Sequence, residues 1–284
     1  MQNLAHSFVE RVGAAALHRL NGLRYQGSLF LGAFFALLAL HPEDASPESI
    51  PETQYKQPLF GNLRNPAILK ALLAELHAQA VSSLPLITCL ALALGSIVVN
   101  LLLSLLTQLD AYDSIGEYLA PAMLRELAPL SCALVMLLRS APTIVTGCGI
   151  LSLNHEATSL ANMGIGIAAY RHAPIYLAAL IGTPLLALYF SLFSLIGGFF
   201  IFGYLHDITF DSYMDQLLYG TEFTDLIILF LKAACMALAV STPAVAHGMR
   251  VISPHDVGPR IVSALLQGVG YIVGVEILFL AGGM

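Results

Sequence analysis

Two stretches of this chain, from Ala78 to Leu109 and from Ala173 to Leu205, contain no Asp, Glu, Lys, Arg or His. Roughly 20 apolar residues cross a hydrocarbon core about 30 Å thick, so each stretch can span a bilayer with length left for tilt. Three further apolar segments, each broken by two or three charges, have the same reach. The pattern predicts five spans, at about 81–106, 118–148, 173–203, 224–247 and 260–282. Pro174, Pro184 and Gly197-Gly198 fall within the third, where neighbouring helices can accommodate them. Gly95, Ser96, Gly182, Gly268, Gly270 and Gly274 are small enough to let helices approach closely.

Ahead of the first span the pattern changes. Residues 28–40 (SLFLGAFFALLAL) are apolar but too short to cross comfortably, which fits an interfacial or elbow helix. An uncleaved signal segment would place its apolar core closer to the N-terminus. Residues 41–62 carry Pro42, Pro47, Pro51 and Pro58 among acids and read as a solvated loop. Asn65-Pro66 then opens a helix, with proline in the first turn, where its missing N–H is harmless. Leu69, Leu72, Leu73 and Leu76 recur there at helical spacing opposite Lys70 and Glu75, which suits a helix on the membrane surface. The expected fold class is all-α: a polytopic membrane protein of about five transmembrane helices preceded by N-terminal interfacial or elbow helices. Residues 1–64 form the N-terminal region and 65–284 the membrane domain.

Composition agrees: 57% of residues are hydrophobic and 11% charged, with a mean hydropathy of +0.79, more apolar surface than a water-soluble domain needs. Cys89, Cys132, Cys148 and Cys235 lie in apolar stretches without CxxC spacing and read as small buried hydrophobes. The net charge of −6 says less than its distribution. Residues 107–118 and 203–225 are acidic and lack Lys and Arg. Basic residues gather before Lys70 and at Arg139, Arg171, Arg250 and Arg260. The positive-inside rule therefore puts the N-terminal region, 139–171 and 248–260 in the cytoplasm, with the acidic loops facing outward.

The polar residues within apolar segments are the candidates for function, because charge at bilayer depth is costly and commonly faces a cavity, a partner or an aqueous path. Arg125-Glu126 interrupts the second span. The pair could bound a cavity or simply hold that span against its neighbours. Adjacent helical residues point about 100° apart, so the two should not face one partner squarely. Lys232 and Glu276 lie at comparable depths inside spans four and five and could pair, as a structural bridge or as a relay for protons or substrate. Arg139 reads as a cytoplasmic-side residue snorkelling to headgroups, and Arg171 as a second basic residue on that side. Residues 149–172 are too short and polar-punctuated for two more spans. Asn154 is placed to cap a short helix there, with Glu156 favoured by the positive end of its dipole. Such a helix, carrying Asn154, His155 and Glu156, could dock on an ATPase or be an ordinary surface helix. The nine histidines show no ligand clustering, so no metal is assigned, and no cofactor or nucleic-acid partner is expected. No lysine sits in a P-loop context, and HExxH and GxSxG are absent, so ATP-driven work would need another subunit.

Four stretches resemble the MlaE/YrbE permeases, membrane subunits of ABC transporters that move lipids with MCE-domain proteins. They are Ala80-Val81-Ser82-Ser83-Leu84-Pro85-Leu86-Ile87; Leu124-Arg125-Glu126-Leu127-Ala128-Pro129 with Leu138-Arg139; Thr183-Pro184-Leu185-Leu186 with Gly197-Gly198; and Lys232, Gly248, Val257-Gly258 and Glu276 in order. The likeness covers residue 66 to the end, with a looser match at 8–40. The coupling segment departs from it: Cys148, Asn154-His155-Glu156 and Gly166-Ile167 stand where the family carries an acid, a TEQ-like triplet and Asp-Pro.

The resemblance implies a transport subunit rather than an enzyme, a homodimer or one half of a heterodimer in a bacterial inner membrane. Its N-terminus would be cytoplasmic and its C-terminus periplasmic. It implies an ABC ATPase, an MCE-domain protein and a lipid substrate, and it admits a STAS-domain protein as a further partner. Arg125 and Glu126 become lipid-cavity residues, and Asn154, His155 and Glu156 ATPase-coupling residues. Two other classes stay open on the residues alone: an ion-coupled secondary transporter using Lys232 and Glu276, and an intramembrane lipid-modifying enzyme. No internal repeat of the kind many secondary transporters carry is evident.

Overall fold

A computed structural model describes residues 66–108, 115–163, 167–206 and 210–282, and these are helical with no strands among them. The expected interfacial helix at 28–40 and the proline-rich loop lie outside the described residues. Helix α1 (Pro66–Gln79) leads through a 3₁₀ turn (Val81–Ser83) into α2 (Leu84–Gln108). Helix α3 (Ile115–Pro121) continues through a π-helical turn (Ala122–Leu127) into α4 (Ala128–Leu153). Then follow α5 (Glu156–Asn162), a second π turn (Ala168–His172), α6 (Ala173–His206), α7 (Phe210–Gly220), α8 (Phe223–Gly248) and α9 (Val257–Ala281). Among the described residues, five helical stretches are long and apolar enough to cross a membrane: Ile68–Leu102, Tyr118–Leu153, Tyr170–Phe200, Phe223–Gly248 and Pro254–Ala281. The chain is a multi-pass, all-α membrane protein.

Helices α4, α6 and α8 form the centre, α2 packs along α6, and α9 packs on α8 and α4. In lipid, such packing rests on close fit rather than on escape from water, so small residues decide where backbones meet. The α2–α6 crossing shows this. A Cβ built on Gly95 would stand 2.0 Å from the backbone oxygen of Ser194, and one on Gly197 would stand 2.7 Å from that of Leu92. Ser96 Oγ shares its proton between the Leu92 carbonyl of its own helix at 2.7 Å and the Gly197 carbonyl across the same seam at 3.2 Å. Gly182 and Gly268 also lie against neighbours, whereas Gly270 and Gly274 face open space within this chain.

The helices join two ends of the bundle. At one end lie α7, the start of α8 and the end of α9; at the other lie α5, the end of α8 and the start of α9. Helix α7, unforeseen in the sequence, is amphipathic. It buries Tyr213 and Leu217 and exposes Asp211, Asp215 and Tyr219. Burial pushes the Tyr213 phenol above its ordinary pKa, so it stays protonated and donates to the Leu195 carbonyl at 3.1 Å, pinning α7 to α6. At the other end α1 packs on α6, with Leu69 and Leu73 exposed and Leu72 and Leu76 half-buried.

Candidate functional site

Five charged residues of the apolar spans, Arg125, Glu126, Asp225, Lys232 and Glu276, meet near the α7 end, and a proline helps to set the geometry. Pro129 has no N–H to give the Arg125 carbonyl four residues back, and its ring crowds that carbonyl. The chain relieves the conflict with the π turn 122–127, whose wider ladder runs from the Ala128 N–H to the Met123 carbonyl. Arg125 and Glu126 sit on this turn.

Both residues reach α8, two turns apart, although neighbouring positions on a regular helix diverge by about 100°. The nearer contact is at the start of α8, where Glu222 and Asp225 form a reciprocal capping box. Asp225 Oδ2 accepts the Glu222 N–H at 3.0 Å, while Oδ1 accepts a hydrogen bond from Arg125 Nε. Asp225 is fully buried, and the Arg125 side chain remains 31% exposed. Seven residues further, on the same face of α8, the buried Lys232 donates to Glu126 Oε2 at 2.6 Å and pairs with Glu276 Oε2 at 2.8 Å. Its ammonium also lies 6.0 Å from the centre of the Phe279 ring, one turn beyond Glu276 on α9.

Two carboxylates from different helices therefore share one lysine. Breaking such a buried pair strands a charge, at about 3–5 kcal/mol. Glu126 holds its place with 41% of its side chain exposed, against 1% for Lys232. The cluster has a buried half, Asp225 and Lys232, and an accessible half, Arg125 and Glu126.

The remaining candidates lie at the opposite end, away from this cluster. Asn154 closes α4 instead of capping α5: its N–H bonds back to the Ile150 carbonyl at 3.0 Å, and its side-chain amide donates to Glu156 Oε1 at 3.0 Å. The reason is His155, whose φ of 53° turns the chain sharply between the helices and takes the position that a cap for α5 would occupy. Asn154, His155 and Glu156 are all exposed.

Arg139 turns toward the start of α2. It donates to Ser82 Oγ at 2.5 Å and to Ser83 Oγ, both on the 3₁₀ turn between α1 and α2. Those hydroxyls give their own protons to the carbonyls of Ala78 and Gln79, leaving lone pairs for the guanidinium. Arg171 pairs with Glu75 of α1 at 2.7 Å.

Sequence reasoning thus missed Asp225, Glu75, Ser82 and Ser83. Asp225 carried a readable signal, an acid three residues after Glu222 at the threshold of an apolar run and seven before Lys232. The serines lay in a stretch that carries the resemblance, but nothing in the sequence indicates that Arg139 turns toward them.

Comparison with known proteins places this geometry. The family model described as Permease MlaE matches residues 72–281, a stretch that holds every member of the charge cluster. The intermembrane phospholipid transport system permease protein MlaE of Haemophilus influenzae is 26% identical over 195 residues, covering 67% of this chain and 75% of that protein. The five apolar helices and the extent of the family match agree: this chain belongs to the MlaE permease family, as a transport subunit and not itself an enzyme.

Proposed function

We propose that this chain is the membrane permease of an ABC system that moves phospholipid between the inner membrane and an MCE-domain partner, working as a homodimer driven by a separate ATPase. The observation that carries the reading is the accessible half of the charge cluster. Arg125 spends its Nε on a buried carboxylate and keeps part of its side chain exposed in an otherwise apolar span. A guanidinium held this way can offer its remaining donors to a phosphate, in paired charge-assisted hydrogen bonds that an ammonium cannot reproduce. The name of the Haemophilus influenzae relative supports phospholipid as the cargo.

At the other end, the exposed turn at Asn154, His155 and Glu156 with α5 is the proposed ATPase contact, which makes that end cytoplasmic. Three measurements test the reading. Arg125→Ala should reduce photocrosslinking of a phospholipid probe and impair transport with the dimer intact. Normal crosslinking in a thermally destabilised variant would leave Arg125 as scaffold only. Glu156→Lys should weaken ATPase association, and unchanged assembly and ATP hydrolysis would move the docking site elsewhere. Single cysteines at Asp215 and Ser253, in a background without native cysteines, should label from outside and from inside respectively. The reverse order would overturn the orientation.

A further inference from the structure

Lys232 treats its two acids unequally. It donates an aligned hydrogen bond to Glu126 Oε2 at 2.6 Å. Glu276 Oε2 lies 2.8 Å from the same nitrogen, yet it is fully enclosed and no donor among the described residues is aligned on it. A buried carboxylate oxygen in that state is costly. Glu276 is also in hydrogen-bonding contact with Glu126. Ionised carboxylates only accept, so a bond between them needs a proton on one of the two. The charge count leads to the same proton. Arg125 and Lys232 face Glu126, Asp225 and Glu276, and one proton on the acids makes the five groups neutral. Asp225 is not its place, because both of its oxygens accept, from Arg125 and from the Glu222 N–H. Glu222 itself is exposed, and α6, which packs on α8, carries no charged residue between Ala173 and Leu205. Glu126 has the aligned ammonium and 41% exposure to support a charge, whereas Glu276 is 18% exposed.

We propose that Glu276 binds a proton at neutral pH and donates it to Glu126, and that this proton holds α9 against α8 and the π turn. It comes from water by way of the accessible Glu126 and returns the same way, turning a carboxylate into a carboxylic acid and back. With it, one hydrogen bond and the Lys232–Glu126 ion pair join three helical segments in a neutral cluster. Without it, two carboxylates crowd a single ammonium and one charge stays uncompensated in the apolar wall, so α9 is held less firmly. An unfolded chain gives up a glutamate proton above about pH 4–5. From there to the pH at which the pair lets go, the folded chain binds more protons than the unfolded one, and stability falls as pH rises. None of this depends on what the permease carries.

The test uses the full-length protein with isotope-labelled glutamate, purified in detergent, and infrared difference spectra along an alkaline titration. The unmodified protein should show, at neutral pH, the carbonyl stretch of one protonated glutamate, lost as the pH is raised. Glu276→Gln offers Glu126 an N–H in place of the acid's O–H, so the band should be absent while the helices stay joined. The thermal midpoint of that variant should hold over the pH range in which the midpoint of the unmodified protein falls. No protonated glutamate at neutral pH in the unmodified protein overturns the proposal, and so does a band that survives Glu276→Gln. A band lost in Glu276→Gln, with both midpoints falling alike, overturns the hold on α9 and keeps the bound proton. Should Glu276→Gln fail to fold, Glu126→Gln leaves Lys232 to Glu276 alone. That acid should then ionise and the band vanish, and its persistence overturns the shared proton.

Discussion

The two ends of the bundle use arginine in contrasting ways. Arg125 and Arg171 are similarly exposed, 31% and 29%, and each has a carboxylate partner, yet the surroundings differ. At the α7 end the partner, Asp225, is fully buried and also caps a helix, and two turns away three more charges meet with a carboxylate in excess. At the α5 end Arg171 forms a one-to-one pair with Glu75 of α1, and Arg139 is satisfied by two serine hydroxyls that bring no charge. One end therefore concentrates interlocked charged groups in an apolar wall, and the other uses charge to fasten a peripheral helix. Exposure of a single residue does not distinguish these uses; the burial and balance of its partners do.

Substitutions at the two ends should differ in size accordingly. Lys232→Met leaves Glu126 and Glu276 facing each other without a cation and should destabilise by about 3–5 kcal/mol. The loss is measurable as earlier thermal loss of helical circular dichroism in detergent. Adding Glu126→Gln and Glu276→Gln to that variant should recover most of the loss, because apolar or neutral replacements of a whole buried cluster are tolerated better than broken ones. Failure to recover would mean that packing at Lys232, and not charge, holds the helices together. Asp225→Asn keeps the shape but removes the charge from both the cap and Arg125, and should lose roughly 1–3 kcal/mol in the same measurement. At the other end, Arg139→Lys gives up the fork that grips two hydroxyls, at about 1 kcal/mol. The smallest effect belongs to α1. Glu75→Gln should change stability by less than about 1 kcal/mol, since the pair with Arg171 is partly exposed. The double exchange Glu75→Arg with Arg171→Glu should stay within the same range. A larger loss from Glu75→Gln than from Asp225→Asn would invert the comparison between the ends.

Hydropathy alone made the spans legible, because a bilayer imposes a length that few other constraints imitate. The structure bears out five apolar helices and the all-α class. Within the site, depth along a helix counts at about 1.5 Å per residue, which brings Lys232 and Glu276 to the same level from the sequence alone. Azimuth was harder. A regular helix parts Arg125 from Glu126 by about 100°, yet from the π turn upstream of Pro129 both side chains reach α8, at residues two turns apart. Asp225 falls both in the acidic stretch 203–225 and in the predicted span 224–247, and it stands inside the first turn of α8. Arg139 and Asn154 were assigned from their own chemistry alone, and in both cases the deciding group was elsewhere, in Ser82 and Ser83 for the first and in the left-handed His155 for the second.

The crossing of α2 and α6 carries a consequence for motion. With a backbone oxygen where the Cβ of residue 95 would stand, and another 2.7 Å from where that of residue 197 would stand, no side chain separates the two helices at that level. Sliding one past the other would drive main chain into main chain, and prising them apart would forfeit the Ser96 bond to Gly197. The pair therefore travels as a single rigid plank. Rearrangement during a transport cycle has to be taken up along the seams that side chains fill, where rotamers can give, and the α8–α9 seam with Lys232 and Glu276 is one of these.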